Sequence, residues 1–323
     1  MPFTVRVHAV GGPEALIYED VPVADPGPGE VLLRQRAIGV NFIDVYHRTG
    51  LYKLPSLPAT IGSEGAGDVI AVGAGVERFR VGDRAAYAGP IGAYADVRIV
   101  PADRLVKLPD GIDDKTAAAM MLKGLTVEYL LHRTYAVKPG DTILWQAAAG
   151  GVGLIACQWA RALGVTMIGT VSTDEKASIA KANGCAHTIV TSREDIAKRV
   201  REITDGKGVP VVYDSVGKDT LMASLDSLQP RGSFVSNGTS SGPVIVDSQL
   251  LAMKGSIWMT RPAMIHYATP RAKMLEMARE LFDLVLAGKI SGEPKQIFAL
   301  ADAADAHRAL EARQTTGATV LMP

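Results

Sequence analysis

The stretch that most constrains the fold runs from Thr142 to Gly164 and reads TILWQAAAGGVGLIACQWARALG. Its first four residues form a short apolar, partly β-branched run that is typical of a buried parallel strand. Apolar residues then recur at helical spacing, and Gly164 is well placed to end that helix. Between the two elements, residues 148–153 read AAGGVG. They match the dinucleotide-binding fingerprint with alanine in place of its first glycine.

Three glycines in this loop suit the binding of a phosphate. Gly150 and Gly151 let the backbone approach a pyrophosphate, and Gly153 lets the helix pack close to the strand. The unpaired amides of the helix N-terminus then face the anion. Glycines standing alone would fit a tight turn equally well. The preceding strand, the following helix and a second strand at Val165–Val171 form a βαβ unit, which favours nucleotide binding.

The composition is that of a folded chain long enough for two domains. The chain has 323 residues, 47% hydrophobic and 21% charged, with a formal net charge of zero. This balance argues against disorder, and without a dense Lys/Arg run we expect neither nucleic acid nor an anionic membrane as a partner. No signal peptide or bilayer-spanning stretch is recognisable. Cys157 and Cys185 do not make a disulfide framework, so we expect a cytoplasmic setting.

The sequence contains no recognisable metal-binding or serine-nucleophile motif. The six histidines are scattered, and neither cysteine belongs to a ligand pattern. We expect each histidine to be a surface or capping residue rather than a metal ligand. The glycines around Ser63 in IGSEGAG have the wrong spacing for a Gly-x-Ser-x-Gly elbow. The sequence therefore predicts a nucleotide-dependent redox protein without a metal ion.

The N-terminal part of the chain differs in pattern from the part around the fingerprint. Residues 1 to about 115 contain many glycines, prolines and short β-branched runs, which predicts a compact, partly open β-barrel. Val40–Tyr52 has no strand period and is predicted to be a loop or short helix lining a cleft. Ala117–Leu131 is predicted to be a helix that is interrupted near Lys123 and Gly124.

Strand and helix patterns then alternate as in a doubly wound parallel sheet. Gly255–Thr260 would be its sixth strand and a possible sheet edge. Beyond Pro262 a long helix ends near Ala287, and a strand, a helix and a terminal strand follow. This tail of about 60 residues would be marginal as a separate domain, so we expect it to join the N-terminal barrel.

The end of the second strand of the βαβ unit predicts the cofactor. NAD-specific folds usually place an acidic residue there, about 20 residues beyond the glycines. Here Ser172 and Thr173 supply hydroxyls, and Lys176 lies one helical turn further on, which suits the 2′-phosphate of NADPH. Asp174 would repel such a phosphate if it faced it directly. In the alternative interpretation, Thr173 caps the helix and Lys176 is a solvated lysine.

Two later strand ends are further candidates for cofactor binding. Asn237 and Gly238 follow the fifth parallel strand, and Gly217 lies just beyond the fourth. Ligands of such sheets bind outside the carboxyl ends of the strands, so these residues are predicted to line the nicotinamide channel. Ordinary turn chemistry explains both glycines equally well.

Several motifs resemble the medium-chain dehydrogenase/reductase superfamily, and within it the zinc-free NADPH:quinone oxidoreductases of the zeta-crystallin type. The resemblance covers essentially the whole chain. It rests on AIGVNFIDVYHRTGLY (37–52), IGSEGAGDVIAVGAGV (61–76), LKGLTVEYLL (122–131), AAAGGVGLIACQWARALG (147–164), VVYDSVG (211–217) and TRP (260–262). Zinc enzymes of the superfamily have Gly-His-Glu where this chain has Gly62-Ser63-Glu64, and they have a four-cysteine lobe that this chain lacks.

The resemblance implies a fold, an assembly and a set of site residues. The expected α/β fold joins a GroES-like, partly open β-barrel domain (1–120 and 265–323) to a Rossmann domain (121–264), and the chain would form a homodimer through Rossmann sheet edges. Together with the strand ends and the glycine loop described above, it gives these expected cofactor contacts: Asn41, Thr126, Ala149, Gly150, Gly151, Val152, Ser172, Lys176, Ser192, Gly217, Asn237, Gly238 and Arg313. Ser192 stands where the family has tyrosine, and Asn237 stands where it has phenylalanine.

The predicted reaction is hydride transfer from NADPH to a quinone or similar conjugated acceptor, without a metal ion. Such acceptors need little activation, so positioning can supply much of the catalysis. The resemblance implies that Asn41, Tyr46 and Tyr52 line the nicotinamide and substrate cleft, and Tyr52 is the first and Tyr46 the second candidate proton donor. In the alternative interpretation, both rings only line the cleft by stacking and donate no proton. Two alternatives remain open: an NADPH-dependent reductase of activated alkenes, and a non-catalytic NADPH-binding protein.

Overall fold

The computed structural model describes residues 1–323, which divide into two compact units. Unit 1 comprises residues 1–125 and 278–323, and unit 2 comprises residues 126–277. Both divisions fall inside helices, α2 (Asp114–Glu128) and α9 (Arg271–Leu286). The sequence-based bounds at residues 120/121 and 264/265 lie earlier in the chain at both joins. No helix is both long enough and apolar enough to cross a membrane.

Unit 1 is built from two β-sheets. Its strands are β1 (Phe3–Val7), β2 (Leu16–Asp20), β3 (Glu30–Val40), β4 (Ala59–Thr60), β5 (Glu64–Val72), β6 (Arg84–Ala88), β7 (Val97–Pro101), β8 (Val106–Lys107), β15 (Gln296–Ala299) and β16 (Thr319–Met322). Strands β2, β1 and β4 form an antiparallel three-stranded sheet. The larger sheet has the order β15-β16-β3-β5-β6-β8, and β7 pairs with β3. The tail joins this sheet because β16 runs antiparallel to β3.

The core of unit 1 is apolar and continuous with the tail. In the first half of β3, Val31 and Leu33 are buried while Arg34 is exposed, as expected of a strand with one buried face. Val31 and Leu33 belong to the same hydrophobic cluster as Tyr94 and as Leu321 of the tail. The helices of unit 1 are α1 (Phe42–Thr49) and α10 (Ala303–Glu311), with the first part of α2 and most of α9. The segment predicted as a loop or short helix is thus largely α1.

Unit 2 contains a six-stranded parallel sheet. Its strands are β9 (Thr142–Trp145), β10 (Thr166–Val171), β11 (His187–Val190), β12 (Val209–Asp214), β13 (Leu228–Ser236) and β14 (Trp258–Thr260). Their order is β11-β10-β9-β12-β13-β14, and every pairing is parallel. The order runs outward in both directions from β9, so the doubly wound prediction is confirmed. Strand β14 is at the edge of the sheet, as predicted, and its three residues are exposed.

Six helices of unit 2 connect or follow these strands. They are α3 (Gly151–Ala162), α4 (Asp174–Ala182), α5 (Ile196–Ile203), α6 (Leu221–Ser227), α7 (Ser248–Met253) and α8 (Met264–Tyr267). The apolar face of α3 is buried, including Leu154, Ile155 and Trp159. This face is the one that the helical spacing of apolar residues predicted.

The predicted interruption near Lys123 and Gly124 is wrong. Helix α2 is continuous through both residues and passes into a π-helical segment at Tyr129–Thr134. A Cβ atom at Gly124 would lie 2.5 Å from Cδ2 of Leu281 in α9. The glycine therefore makes room for a neighbouring helix, and this packing stabilises the helix that local propensity disfavours.

Candidate functional site

The loop between β9 and α3 presents the free N-terminus of a twelve-residue helix. Gly150 is the N-cap residue, with extended backbone geometry and no side-chain cap. The amides of Gly151 and Val152 belong to the first turn, where a helix supplies no intrahelical acceptor. A Cβ atom at Gly153 would lie 2.5 Å from the carbonyl oxygen of Ala147, so only glycine lets α3 start this close to β9. The loop is therefore suited to binding an anionic group.

The end of β10 carries the predicted phosphate-binding residues. Thr173 is the N-cap of α4, and its Oγ1 accepts a hydrogen bond from the Lys176 amide at 3.3 Å. The capping role proposed as an alternative for Thr173 is thus present. Ser172 and the first-turn Lys176 are both half-buried. A capped helix start with an adjacent hydroxyl and ammonium remains compatible with a phosphate.

Asp174, expected to repel a phosphate, is held by an arginine that the sequence analysis did not single out. Nη1 and Nη2 of Arg193 donate to the two carboxylate oxygens of Asp174 at 2.5 and 2.7 Å. This pairing holds the pKa of Asp174 below its usual range. Arg193 follows β11, the strand beside β10, and the carboxyl ends of parallel neighbours lie on one edge. The position of Arg193 just after a strand next to β10 is the sequence signal that could have identified it. Ser192, just before it, is exposed.

The ends of β12 and β13 approach each other closely. Gly217 has φ of 100°, and its amide donates to Asp214 Oδ1 at 2.9 Å. A Cβ atom at Gly238 would lie 2.4 Å from the carbonyl oxygen of Ser215. Backbone geometry thus accounts for both glycines. Asn237 differs from the two glycines, because its side-chain oxygen Oδ1 is buried without a hydrogen-bond partner. Such an acceptor is suited to a donor from a ligand.

Thr126 and Arg313 lie in contrasting settings. Thr126 is half-buried in α2, and its side chain hydrogen-bonds that of Tyr129, whose pKa burial raises to about 12. Arg313 is exposed after α10, in left-handed backbone conformation with φ of 58°. Its amide donates to the carbonyl oxygen of Leu310 at 3.1 Å. The two residues belong to different compact units.

The three residues predicted to line the acceptor cleft are all at or near α1. Asn41 is the N-cap residue, and its Nδ2 donates to Glu64 Oε1 at 2.7 Å. Tyr46 lies in the second turn, and the Tyr52 amide donates to its carbonyl oxygen at 3.0 Å. The two rings meet edge to face, with centroids 5.2 Å apart. Tyr46 is buried while Tyr52 is 37% exposed, so Tyr52 is the tyrosine more open to solvent.

Glu64 is fixed by three donors. Beside the amide of Asn41, the backbone amide of Leu122 donates to Oε2 at 2.6 Å, and Nζ of Lys123 hydrogen-bonds Oε1. Glu64 is fully buried, and Lys123 is 4% exposed. Sequence analysis did not identify this cluster, because Glu64 and Lys123 are 59 positions apart and no local motif joins them.

A second buried network anchors α1 to the tail. Tyr94 OH donates to Asp44 Oδ2 at 3.1 Å and lies 2.9 Å from Nε2 of His307. Arg48 donates to Nδ1 of His307 at 3.1 Å and forms a bidentate pair with Glu311 at 2.8 and 2.9 Å. Burial raises the pKa of Asp44 to about 7 and lowers that of His307 to about 3. The expectation that every histidine is a surface or capping residue is wrong for His307, which is fully buried.

Family models match both parts of the chain. The model described as alcohol dehydrogenase GroES-like domain matches residues 27–110, and the one described as zinc-binding dehydrogenase matches residues 151–283. Quinone oxidoreductase of Pseudomonas aeruginosa is 57% identical over 321 residues, which cover 99% of each chain. The chain belongs to the quinone oxidoreductase family of the medium-chain dehydrogenase/reductase superfamily. The predicted family is therefore confirmed.

Solved structures of the quinone oxidoreductase family have the same fold. Escherichia coli quinone oxidoreductase complexed with NADPH superposes with a TM-score of 0.98 at 48% identity, covering 99% of this chain and 100% of that one. The predicted combination of a GroES-like domain with a Rossmann domain is confirmed. A 2-haloacrylate reductase of Burkholderia sp. is also similar, at 49% identity over 98% of each chain. No group of three or more His, Cys, Asp or Glu side chains is placed to hold a metal ion.

Proposed function

We propose that this protein is an NADPH-dependent quinone oxidoreductase that reduces a quinone by hydride transfer. The observation that carries the proposal is the 57% identity, over nearly the full length of both chains, to the quinone oxidoreductase of P. aeruginosa. The residues at the strand ends of unit 2 and at α1 of unit 1 support it. Each group of residues has a separate part in the reaction.

The residues of unit 2 fit NADPH. The first-turn amides at Gly151 and Val152, next to Ala149 and Gly150, would hold the pyrophosphate. The buried, unpartnered Oδ1 of Asn237 would accept a hydrogen bond from the nicotinamide carboxamide. Further proposed contacts along the cofactor are Thr126, Ser192, Gly217 and Gly238 of unit 2 and Arg313 of unit 1. When bound, NADPH supplies the hydride.

The choice of NADPH over NADH would rest on the end of β10. The Ser172 hydroxyl and the Lys176 ammonium would bind the 2′-phosphate, which NADH lacks. Arg193 keeps the carboxylate of Asp174 paired, which weakens the repulsion expected between that carboxylate and the phosphate. The same guanidinium adds positive charge beside the site.

The residues near α1 would receive the acceptor. Glu64 and the N-cap geometry fix the amide of Asn41, and the Tyr46 and Tyr52 rings form an edge-to-face pair that an aromatic acceptor can stack against. Tyr52 is the proposed first proton donor because its ring is the more exposed of the two. Tyr46 is the second.

Reduction of an activated alkene is the second proposed function. The observation that favours it is the 49% identity to a 2-haloacrylate reductase. The test is to mix the protein with NADPH or NADH and follow the reduced-nicotinamide absorbance with 1,4-benzoquinone, a naphthoquinone, a simple enone and 2-chloroacrylate. Fast oxidation of NADPH by quinones, with NADH much poorer, supports the first function. Turnover of the alkenes alone would favour alkene reduction over quinone reduction. NADPH binding without turnover of any acceptor would indicate a non-catalytic NADPH-binding protein.

Three further features belong to the proposal. A cytoplasmic location fits the pair of free, buried cysteines. Homodimer formation would use the edge strand β14, where Trp258 is 72% exposed. The proposed domains are the GroES-like domain (1–120 and 265–323) and the Rossmann domain (121–264), and limited proteolysis tests these bounds. Light scattering of the wild type and of a Trp258→Lys variant tests the dimer, which the lysine should disrupt.

A further inference from the structure

A buried lysine lies beside the amide proposed to face the acceptor. Nζ of Lys123 and Nδ2 of Asn41 both donate to the same oxygen, Oε1 of Glu64. The two nitrogens are therefore separated by no more than two hydrogen-bond lengths, about 6 Å. All three residues belong to unit 1, and all are at least nine-tenths buried. An acceptor that reaches Asn41 is thus close to an ammonium group.

The ammonium of Lys123 has more donors than the protein has acceptors for it. A lysine ammonium carries three N–H groups and no acceptor. The structure gives it one acceptor, Oε1 of Glu64. Buried polar donors are nearly always satisfied, and one that lacks a protein partner is open to a ligand or water. Lys123 therefore has donors available for an oxygen that arrives with the substrate.

The hydrogen bonds that fix Glu64 also support a role for Lys123 in binding the acceptor. Its carboxylate is held by Asn41, by the amide of Leu122 and by Lys123, so it is fixed on three sides. A buried ion pair contributes little net stability, since its desolvation cost is comparable to its attraction. A fixed carboxylate can instead keep the ammonium charged and oriented in a buried position. Such preorganisation is what stabilises a charge that develops during a reaction.

We propose that Lys123 is a catalytic residue that donates a hydrogen bond to the carbonyl oxygen of the acceptor. This inference rests on the proposed function. As hydride from NADPH adds to the conjugated acceptor, NADPH is oxidised and the π electrons of the acceptor move onto that oxygen. The oxygen becomes an anion beside the ammonium, and it then takes a proton from water or from the proposed tyrosine donor. Lys123 itself keeps its proton and is unchanged at the end.

The proposal predicts that acceptors depend on Lys123 to different degrees. A quinone is already strongly electrophilic, whereas an enone reduces readily only if its oxygen is stabilised. Losing one oxyanion donor typically lowers turnover by about 100-fold or more. Lys123→Met should therefore lower enone turnover by about 100-fold. It should lower quinone turnover less than enone turnover.

The first test measures anion stabilisation without any reaction. It uses 4-nitrophenol as the probe, because its neutral and ionised forms differ in colour. In the wild type the bound probe should ionise at lower pH than the free probe, and 1,4-benzoquinone should displace it. Lys123→Met should abolish this preference for the anion. Binding of the neutral form alone to the wild type would overturn the proposal, even if the variant did not fold.

The second test compares turnover with a matched control. Lys107→Met removes another ion-paired lysine of unit 1, but its side chain is 58% exposed and its partner is Asp83. The control should keep wild-type turnover with both acceptor classes, and Lys123→Met should show the selective loss with the enone. Equal losses with enone and quinone would overturn the catalytic role. Failure of the wild type to oxidise NADPH with any acceptor would refute the proposed function, whereas the 4-nitrophenol result would stand separately.

Discussion

The buried His307 should make unit 1 sensitive to acid, and the substitution that tests this is His307→Gln. Arg48 can only donate, so Nδ1 of His307 must accept, and the proton of the neutral ring is therefore assigned to Nε2. Nε2 then donates to the Tyr94 hydroxyl, which donates onward to Asp44. Protonating Nδ1 would place a donor and a charge against Arg48. Glutamine can accept and donate in similar positions but does not titrate in this range.

The size of the effect follows from the pKa of His307. Burial, with a smaller contribution from Arg48, lowers it from 6.5 to about 3. A histidine with a lowered pKa in the folded state contributes stability that is fully present above pH 6.5 and is lost as the pH falls toward 3. At about pH 5 the loss amounts to about 2 kcal/mol in the free energy of unfolding. Asp44 has a pKa raised from 3.8 to about 7, so its effect has the opposite sign: it lowers the free energy of unfolding as the pH rises through this range.

Urea unfolding followed by far-UV circular dichroism measures the effect when both proteins are compared at about pH 7.5 and about pH 5. Subtracting the two proteins cancels the contribution of Asp44, which both contain. Relative to its own value at the higher pH, the wild type should lose about 2 kcal/mol more than His307→Gln. An equal change in the two proteins would refute the assignment of a neutral, buried His307.

Three further predictions concern the cofactor and the proton donor. Lys176→Ala should raise the Kd for NADPH by about 10-fold and leave that for NADH unchanged in isothermal titration, because only NADPH carries the 2′-phosphate. Arg193→Ala should raise the Kd for NADPH by up to about 5-fold, and adding Asp174→Asn should restore it; no recovery in the double variant would contradict the pairing argument. Tyr52→Phe should slow quinone turnover and alter its solvent isotope effect. Unchanged values would mean that Tyr52 lines the cleft without donating a proton.

The nucleotide-binding half of the fold was predictable because its signals are local. The strand at Thr142–Trp145, the glycine loop and the helix that follows are contiguous, and each is specified by its own short pattern. The alternation of strands and helices then restricts the topology to a few possibilities, and the observed order of six parallel strands is one of them.

The sequence-based predictions were wrong, or none was made, where a role depends on contacts between residues that are distant in sequence. Gly124 suggested a break in a helix, and only the position of Leu281 explains why the helix continues. His307 looked like any scattered histidine until Arg48 and Tyr94 were placed around it. The pairing of Lys123 with Glu64 also has no local pattern. In each case burial and tertiary packing decide the role, and no spacing rule encodes them.

The central claim is tested most directly by a single turnover. The protein is saturated with NADPH and mixed rapidly with 1,4-benzoquinone, and the absorbance of the reduced nicotinamide is followed. The account predicts that this absorbance disappears in one exponential phase, and that deuterium at the transferred position of the nicotinamide ring slows the phase. NADPH that stays bound and reduced in the presence of the quinone would contradict the claim.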